Sequence, residues 1–213
     1  TQWVSITLVV SRITISPSSV KNPPKLLGAT FMADSANILV LYYSATGNVA
    51  QMAHALADGA SGLGAHVRVR RVVETAPTTA VASYPKWQKF LDTCQDEYVA
   101  LTDIEWCDGI ALGSPTRFGN PASQLRAFLD TTGGLWAQGS LSRLVGTSFT
   151  SASTQHGGLE STILSMNNIF YHWGSVIMPL GYVNSFVHKE SGNPYGASLY
   201  STSANSATQT HLQ

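Results

Sequence analysis

The sequence predicts an α/β protein built around a parallel β-sheet. From Asn37 onward, short apolar runs alternate with segments in which apolar residues recur at helical spacing, which is the pattern of successive βαβ units. Three of the apolar runs end in loops rich in glycine and hydroxyl residues that lead directly into a helical segment. The chain of 213 residues has the size of a single domain.

The first predicted unit contains the sequence ILVLYYSATGNVAQMAHAL. Residues 38–43 form a continuous apolar run, which is typical of a central parallel strand covered on both faces. Apolar residues then recur at helical spacing from Val49 to Leu63, and Gly62 and Gly64 predict the end of the helix. Residues 66–73 alternate apolar and basic side chains, which predicts an outer strand with one face toward solvent or a polar layer.

The middle of the chain has a weaker pattern. Residues 74–106 contain two prolines and predict only a short helix around residues 87–91. Residues 108–115, DGIALGSP, predict a third strand that ends in small residues. Asn120 is a candidate helix N-cap, and Pro121 suits the first helical position. The apolar stripe at residues 125–129 predicts the helix itself, which the glycine pair at 133–134 is expected to end.

Two further strands complete the prediction. Residues 144–150 predict a fourth strand that runs into the loop SASTQHGG, and a helix is expected from about residue 159 to 171. Residues 175–180 predict the fifth strand, and no periodicity or final helix follows it. We expect the domain to span residues 37–200 and residues 201–213 to form an irregular tail.

The first 31 residues are expected to be an extension outside the fold, with Met32 as the natural start. An apolar run at residues 6–10 is interrupted by Arg12, and its flanks lack the charge order and cleavage site of a signal peptide. No apolar run approaches the roughly 18 residues that span a membrane. We therefore expect a cytoplasmic protein.

Composition excludes some classes of partner. Lys+Arg and Asp+Glu are equal at 12 each, so the chain has no excess of positive charge that would favour binding to nucleic acid or to an anionic membrane. Charged residues make up only 11%, which favours an oligomer with buried surface. Cys94 and Cys107 are too far apart for a CxxC pair, and no metal site is predicted.

The loop after the first strand, SATGN, has the chemistry of a phosphate site. Ser44, Thr46 and Asn48 offer hydrogen-bond donors, and Gly47 allows close approach of the backbone. The first amides of the following helix form an anion site. No lysine stands in a GxxxxGK[ST] motif and no GxGxxG opens a helix, so a terminal monophosphate fits better than a triphosphate or dinucleotide. The alternative for this loop alone is a capped helix after a tight turn.

Several motifs resemble a known family. SATGNV, at residues 44–49, resembles the phosphate loop of flavodoxins. SPTRFGN at 114–120 and DTTGGLWAQG at 130–139 resemble the WrbA family of flavodoxin-like NAD(P)H:quinone oxidoreductases. HGGLEST, MPLGY and GNPYGAS continue the similarity in order to residue 198.

This resemblance implies a flavodoxin-like three-layer sandwich with five parallel strands in the order 2-1-3-4-5. It implies FMN as cofactor, NADH or NADPH as co-substrate, and two-electron reduction of quinones by alternating hydride transfers. It also implies a dimer or tetramer in which neighbouring subunits complete each flavin site.

The resemblance assigns residues to that site. The FMN phosphate would be bound by Ser44, Ala45, Thr46, Gly47, Asn48 and Val49. The isoalloxazine would be contacted by Pro115, Thr116, Arg117, Phe118, Gly119 and Asn120, and by Ala152, Ser153, Thr154, Gln155, His156 and Gly157. Trp136 would form a wall of the quinone and nicotinamide pocket, and His172 would reach the flavin across a subunit interface. Trp136 and His172 are the two candidate catalytic residues.

Alternatives remain at this point. Arg117 could be an exposed surface charge, Trp136 a core anchor and His172 a structural histidine. The whole chain could instead be an FMN electron carrier, or a redox-inactive interaction protein. Thr46 replaces a tyrosine that contacts the nicotinamide in many family members, which leaves donor preference open. The family ends in a helix that covers one sheet face, so we expect reduced stability here, or cover from residues 1–31 or from a partner.

Overall fold

The structure is a computed structural model and describes residues 35–182, 187 and 192–200. The strands are β1 (Asn37–Tyr42), β2 (His66–Arg71), β3 (Gly109–Arg117), β4 (Asn120–Pro121), β5 (Val145–Ala152), β6 (Val176–Ile177) and β7 (Ala197–Tyr200). The helices are α1 (Asn48–Gly62), α2 (Thr78–Ala82), α3 (Pro85–Thr93), α4 (Leu101–Trp106), α5 (Ser123–Asp130), α6 (Gly133–Ala137) and α7 (Leu159–Trp173), with a 3-10 turn at Ser140–Arg143.

The main sheet is parallel and has the strand order β2-β1-β3-β5-β6. This is the predicted order 2-1-3-4-5 once the short strand β4, which pairs only with β3, is left out of the count. β2 lies at the edge, as its alternating sequence predicted. The α/β fold class with a parallel sheet is confirmed.

Alternating side chains of β1 divide between two apolar cores. Leu39 and Leu41 belong to the core that contains residues of α5 and α7. Val40 and Tyr42 belong to the other core, with residues of α1. All four side chains are fully buried because the strand is covered on both faces, as expected for a continuous apolar run. Helices therefore pack on both faces of the sheet in a three-layer sandwich.

The connection from β2 to β3 is more helical than the sequence predicted. Instead of one short helix around residues 87–91, it contains α2, α3 and α4. Two basic residues of β2 help to fasten it, because Arg68 Nη1 and Arg70 Nε bind the two carboxylate oxygens of Asp103 at 3.0 and 3.3 Å. Polar anchors of this kind leave no apolar periodicity, which explains the weak sequence signal.

The prediction that Asn120 caps a helix was wrong. Asn120 and Pro121 pair antiparallel with Arg117 and Thr116, so they form β4, and α5 begins later at Ser123. The glycine pair at 133–134 also differs from expectation, since α5 already ends at Asp130 and the two glycines open α6. A local N-cap signal carries no information about a hairpin that forms with the preceding strand.

The fifth strand position is occupied by two short strands. β6 pairs with Val145 and Gly146 at the start of β5, whereas β7 pairs with residues 149–152 at its end. The predicted strand at 175–180 is thus reduced to two residues, and β7 was missed. Gly196, just before β7, lies so close to β5 that a Cβ there would overlap the carbonyl oxygen of Ser148.

The predictions for residues 1–31 and 201–213, including the absence of a final helix, lie outside the described residues. Within the described part of the chain, no helix is long and apolar enough to cross a membrane.

Two glycines on the same side of the sheet give opposite predictions for stability. A Cβ at buried Gly113 in β3 would overlap the ring of Phe149, whereas a Cβ at Gly59 in α1 would meet nothing within 4 Å. We expect Gly113→Ala to lower the free energy of unfolding by about 1–3 kcal/mol through overpacking. Gly59→Ala should raise it by about 0.5–1 kcal/mol by removing the entropic cost of glycine in a helix. Urea denaturation of both variants tests this, and equal effects would contradict it.

Candidate active site

Three loops meet at the carboxyl edge of the sheet. They follow β1, β3 and β5, which are neighbours in the sheet, with Tyr42 paired to Gly113 and Ser114 paired to Thr150. In an open parallel sheet, ligands bind outside the carboxyl ends of the strands, where the strand order reverses. The fold therefore brings together the three loops that the sequence singled out.

The first loop, residues 44–49, is named the phosphate loop here. The Gly47 N–H donates to the Ser44 hydroxyl at 3.0 Å, and Gly47 has φ +96°, which favours glycine. Gly47 is also the N-cap of α1, which has neither a side-chain cap nor an acidic residue in its first turn. The first amides of a 15-residue helix thus face an edge that suits an anion.

The second loop, named the ring loop, is a tight hairpin between β3 and β4. Its two central residues, Phe118 and Gly119, have φ +53° and +79°, the combination that a two-residue type I′ turn requires. Phe118 is the one non-glycine residue with positive φ in the described ranges, and its side chain is fully exposed. A bulky residue held in this conformation stores strain of about 1–3 kcal/mol, which is typical of functional sites.

Hydrogen bonds hold the ring loop in place. The Thr116 hydroxyl accepts the Gly119 N–H at 3.2 Å and the Thr162 hydroxyl at 2.8 Å, which joins the loop to the first turn of α7. The buried Ser114 hydroxyl accepts the Ala122 N–H at 2.8 Å and so closes the base of the hairpin. The ring loop is therefore preorganised before any ligand binds.

The third loop, residues 152–157, follows β5 directly beside the ring loop. The Thr150 hydroxyl donates to the Ser114 carbonyl at 2.6 Å and joins the bases of the two loops. The four side chains from Ser153 to His156 are exposed, and Gly158, with φ +94°, opens α7. This loop presents exposed polar groups next to the ring loop.

Two adjacent tyrosines precede the phosphate loop, and each donates to a carboxylate. Tyr42 Oη donates to Asp96 Oδ2 at 2.5 Å, and Tyr43 Oη donates to Glu74 Oε2 at 2.8 Å. Burial and these hydrogen bonds to carboxylates raise the pKa of both phenols well above the usual range. Both tyrosines are neutral donors at physiological pH.

The Glu74 carboxylate, which sequence reasoning missed, lies beside the phosphate loop. Burial raises the pKa of Glu74, but hydrogen bonds from the Ala76 amide and from Gln124, Tyr43 and Trp87 lower it more, so the net pKa lies below its ordinary value. Glu74 is therefore ionised at neutral pH. It stood in a weakly periodic segment, and only its position after an outer strand could have suggested a role.

Trp136 and His172 lie together but away from the three loops of their own chain. Trp136 Nε1 donates to the His172 carbonyl at 3.0 Å, and both side chains are exposed. The ring loop contacts α7 at Thr162 and Ser165, and because a helix rises about 1.5 Å per residue, His172 lies about 10–15 Å further along α7. A single chain therefore does not bring these two residues to the loops.

The residues at the edge of the sheet fit a phosphate-bearing flavin. The uncapped start of α1 and left-handed Gly47 suit a phosphate group. The exposed Phe118 ring and the polar groups of the ring loop and the third loop suit a planar heteroaromatic ring beside it.

Comparison with known proteins agrees with this geometry. The family model described as NADPH-dependent FMN reductase matches residues 36–188. A protein of Deinococcus radiodurans named NAD(P)H dehydrogenase (quinone) is 38% identical over 79% of this chain and 84% of its own length. Proteins with the same name from Azorhizobium caulinodans and Rhizobium rhizogenes are 45% and 46% identical, each over 76% of this chain and 81% and 82% of their own lengths.

A solved structure supports the fold assignment. The flavodoxin, WrbA-like protein from Agrobacterium tumefaciens has a TM-score of 0.54 and 22% sequence identity, and the match covers 70% of this chain and 80% of that one. At this identity the comparison supports the flavodoxin-like fold alone. With the matched family model and the curated relatives, it leads to the conclusion that this chain belongs to the NADPH-dependent FMN reductase family and groups there with the NAD(P)H dehydrogenases (quinone).

Proposed function

We propose that this protein is an FMN-dependent NAD(P)H:quinone oxidoreductase of the WrbA type. The observation that carries the proposal is the junction of β1 and α1, where a left-handed glycine and an uncapped helix N-terminus lie beside a preorganised ring loop. FMN bound there would supply the hydride chemistry by which NAD(P)H, a proton and a quinone become NAD(P)⁺ and a hydroquinone. The chain itself provides binding, orientation and the electrostatic field.

Each loop has its own task in this proposal. The Ser44 hydroxyl, Thr46, Asn48 and the first amides of α1 would hold the phosphate, where hydrogen bonds to a charged group contribute about 1.5–3 kcal/mol each. Thr116, Arg117 and Gly119 would contact the ring edge, and Phe118 would lie beside the ring. The third loop, residues 152–157, would complete the flavin site. No general base is assigned.

A second copy of the chain would complete the site. Trp136 and His172 lie about 10–15 Å along α7 beyond its contacts with the ring loop of their own chain, so they act as catalytic residues only on the flavin of a neighbour. Exposed aromatic side chains support association, since Trp136 and Tyr171 are 57% and 71% exposed in the single chain. We propose a homodimer or homotetramer on this basis. The two free cysteines, Cys94 and Cys107, support a reducing, cytoplasmic location.

The experiment that tests the function is an anaerobic absorbance measurement on protein mixed with FMN and desalted. We expect the yellow flavin absorbance to remain with the protein, to bleach with NADH or NADPH, and to return on addition of benzoquinone. Retained colour that neither nicotinamide bleaches would indicate an electron carrier. No retained colour would overturn the proposal.

Two glycines at the two ends of α1 provide matched variants for this test. Gly47 and Gly64 have φ +96° and +89°, so alanine at either position is strained by about 1–2 kcal/mol. Only Gly47 belongs to the phosphate loop. Gly47→Ala should weaken FMN binding by about tenfold or more, because it disturbs the amides that face the phosphate. Gly64→Ala should lose similar stability and keep the affinity for FMN.

A further inference from the structure

The carboxylate of Glu74 accepts five hydrogen bonds. Oε1 accepts the backbone N–H groups of Thr75 and Ala76 at 2.9 and 2.8 Å, and Gln124 Nε2 at 2.7 Å. Oε2 accepts Tyr43 Oη at 2.8 Å and Trp87 Nε1 at 3.0 Å. A carboxylate has about four lone-pair sites, so this one is saturated. Hydrogen bonds to an ionised acceptor are also roughly twice as strong as neutral ones.

The three side-chain donors lie on separate elements that lead to the candidate site. Tyr43 is the residue immediately before the phosphate loop. Gln124 lies in the first turn of α5, just after the hairpin that carries the ring loop. Trp87 lies on α3 in the connection from β2 to β3. One carboxylate thus joins the base of the phosphate loop to the helix that follows the ring loop.

α3 also touches the phosphate loop itself. A Cβ at Gly47 would lie 3.4 Å from Phe90 Cδ2, so the Phe90 ring packs directly against the glycine that opens α1. Phe90 and Trp87 are one helical turn apart on α3, and Trp87 is bonded to Glu74. Glu74 therefore constrains the phosphate loop from two directions, through Tyr43 and through α3.

Arg117 of the ring loop also acts electrostatically on this cluster. The guanidinium of Arg117 lowers the pKa of Tyr43 against the stronger opposite effects of burial and of Glu74.

We propose that Glu74 is a positioning residue that fixes the distance and orientation of the ring loop relative to the phosphate loop. The inference rests on the proposed function, because it matters only for a ligand that spans both loops, as FMN would. Without the carboxylate, each loop keeps its own internal hydrogen bonds, but the two loops lose their common anchor. A ligand held at one loop alone should be affected much less than one held at both.

The test compares FMN with riboflavin, which has the same ring and no phosphate. The ratio of the two dissociation constants measures how much the phosphate loop adds once the ring is bound. In Glu74→Gln, one carboxylate oxygen is replaced by an NH2 group, which cannot accept hydrogen bonds from the donors that face it. At least one of the hydrogen bonds that link Glu74 to the two loops is therefore lost. We expect the ratio of riboflavin Kd to FMN Kd to fall about tenfold or more, since misplacement by about 1 Å costs up to about 100-fold in comparable sites.

Two further variants separate positioning from stability. Gln124→Leu removes only the hydrogen bond between α5 and Glu74, and it should lower the same ratio in a folded protein. Asp96→Asn is the matched control, because Asp96 accepts the hydroxyl of Tyr42 but contacts His54 of α1 and not α5. It should lower stability and leave the ratio unchanged.

Each outcome has a definite meaning. Equal weakening of FMN and riboflavin binding in Glu74→Gln, with the ratio preserved, would show a purely structural role and overturn the inference. An equal fall of the ratio in Asp96→Asn would also overturn it, since any tyrosine anchor would then suffice. Failure of the unsubstituted protein to bind FMN would instead overturn the proposed function, so the two failures are distinguishable.

Discussion

Steep alkaline unfolding is expected for this protein, with the free energy of unfolding falling by about 4 kcal/mol per pH unit above about pH 10. Three buried groups cause it. Tyr42 and Cys107 are fully buried and Tyr43 is 3% exposed. Burial raises the pKa of Cys107 to about 12, and burial with carboxylate hydrogen bonds raises the pKa of both tyrosines well above its ordinary value. In the unfolded chain, cysteine and tyrosine titrate near about 8.5 and 10.

The sign follows from proton linkage. A group whose pKa is raised by folding stabilises the protein fully below its unfolded pKa, and this stabilisation is lost as the pH rises toward the folded pKa. Each such group contributes a slope of about 1.4 kcal/mol per pH unit. Between about pH 8.5 and 10, only Cys107 lowers the free energy of unfolding as the pH rises, and above about pH 10 all three groups lower it. Against a typical stability of about 5–15 kcal/mol, the chain should unfold within a few pH units.

Urea denaturation at a series of pH values from neutral to about 11.5 measures this slope. The upper limit lies about 1.5 units above the pKa of tyrosine in the unfolded chain. Tyr43→Phe and Cys107→Ala should each reduce it by about one proton, or 1.4 kcal/mol per pH unit. Tyr84→Phe is the matched control, because this phenol is 67% exposed. A stability that does not change with pH, or an equal effect of Tyr84→Phe, would contradict the prediction.

The sequence predicts most of the fold because the central strands carry their own signal. β1 and β3 each contain a continuous buried apolar run, and β2 alternates, so their place in the sheet follows from burial. α2, α4 and β7 were missed because they are five, six and four residues long, too short to show a period. β7 also depends on the contact of Gly196 with β5, which no local pattern reports.

In the candidate site too, features formed by contiguous residues were predictable from the sequence and features formed by distant residues were not. The phosphate loop was predictable because it is contiguous and follows a recognisable strand. The hairpin conformation of Phe118 was not, since only pairing between Arg117 and Asn120 creates it. Glu74 was missed because its role comes from donors 31, 13 and 50 residues away in sequence. Contacts of that range have no signature in one sequence.

Two inactive variants are expected to regain activity when they share an oligomer. The first carries Trp136→Ala and His172→Ala and keeps all three loops. We expect it to bind FMN and to lose about 10- to 100-fold in kcat/KM, the usual effect of removing an aromatic contact that a subunit interface buries. The second carries Ser44→Ala and Gly47→Val, which remove the hydroxyl acceptor and the left-handed turn of the phosphate loop. It should bind no FMN.

Recovery is expected from the positions of the two residues in the fold. Trp136 is bonded to the last turn of α7, whereas the ring loop contacts this helix seven or more residues earlier, at Thr162 and Ser165, so the pair lies away from the loops of its own chain. If they act on a neighbour's flavin, a mixed oligomer contains sites with intact loops from the first variant and Trp136 and His172 from the second. With random assembly of equal amounts, half of the chains have loops and half of their neighbours supply the pair, so about a quarter of the sites are complete; once mixed dimers are isolated, one site in two is complete and about half of the full activity should return.

Coexpression of the two variants with different affinity tags, followed by sequential purification, isolates the mixed oligomers for this assay. Recovery also separates a catalytic role from a folding defect, because a misfolded subunit could not complete its neighbour's site. Absence of recovery in mixed oligomers that still bind FMN would mean that the pair does not act across the interface. Since the single chain keeps the pair about 10–15 Å along α7 from the contacts of its own ring loop, that result would remove Trp136 and His172 from the catalytic site altogether.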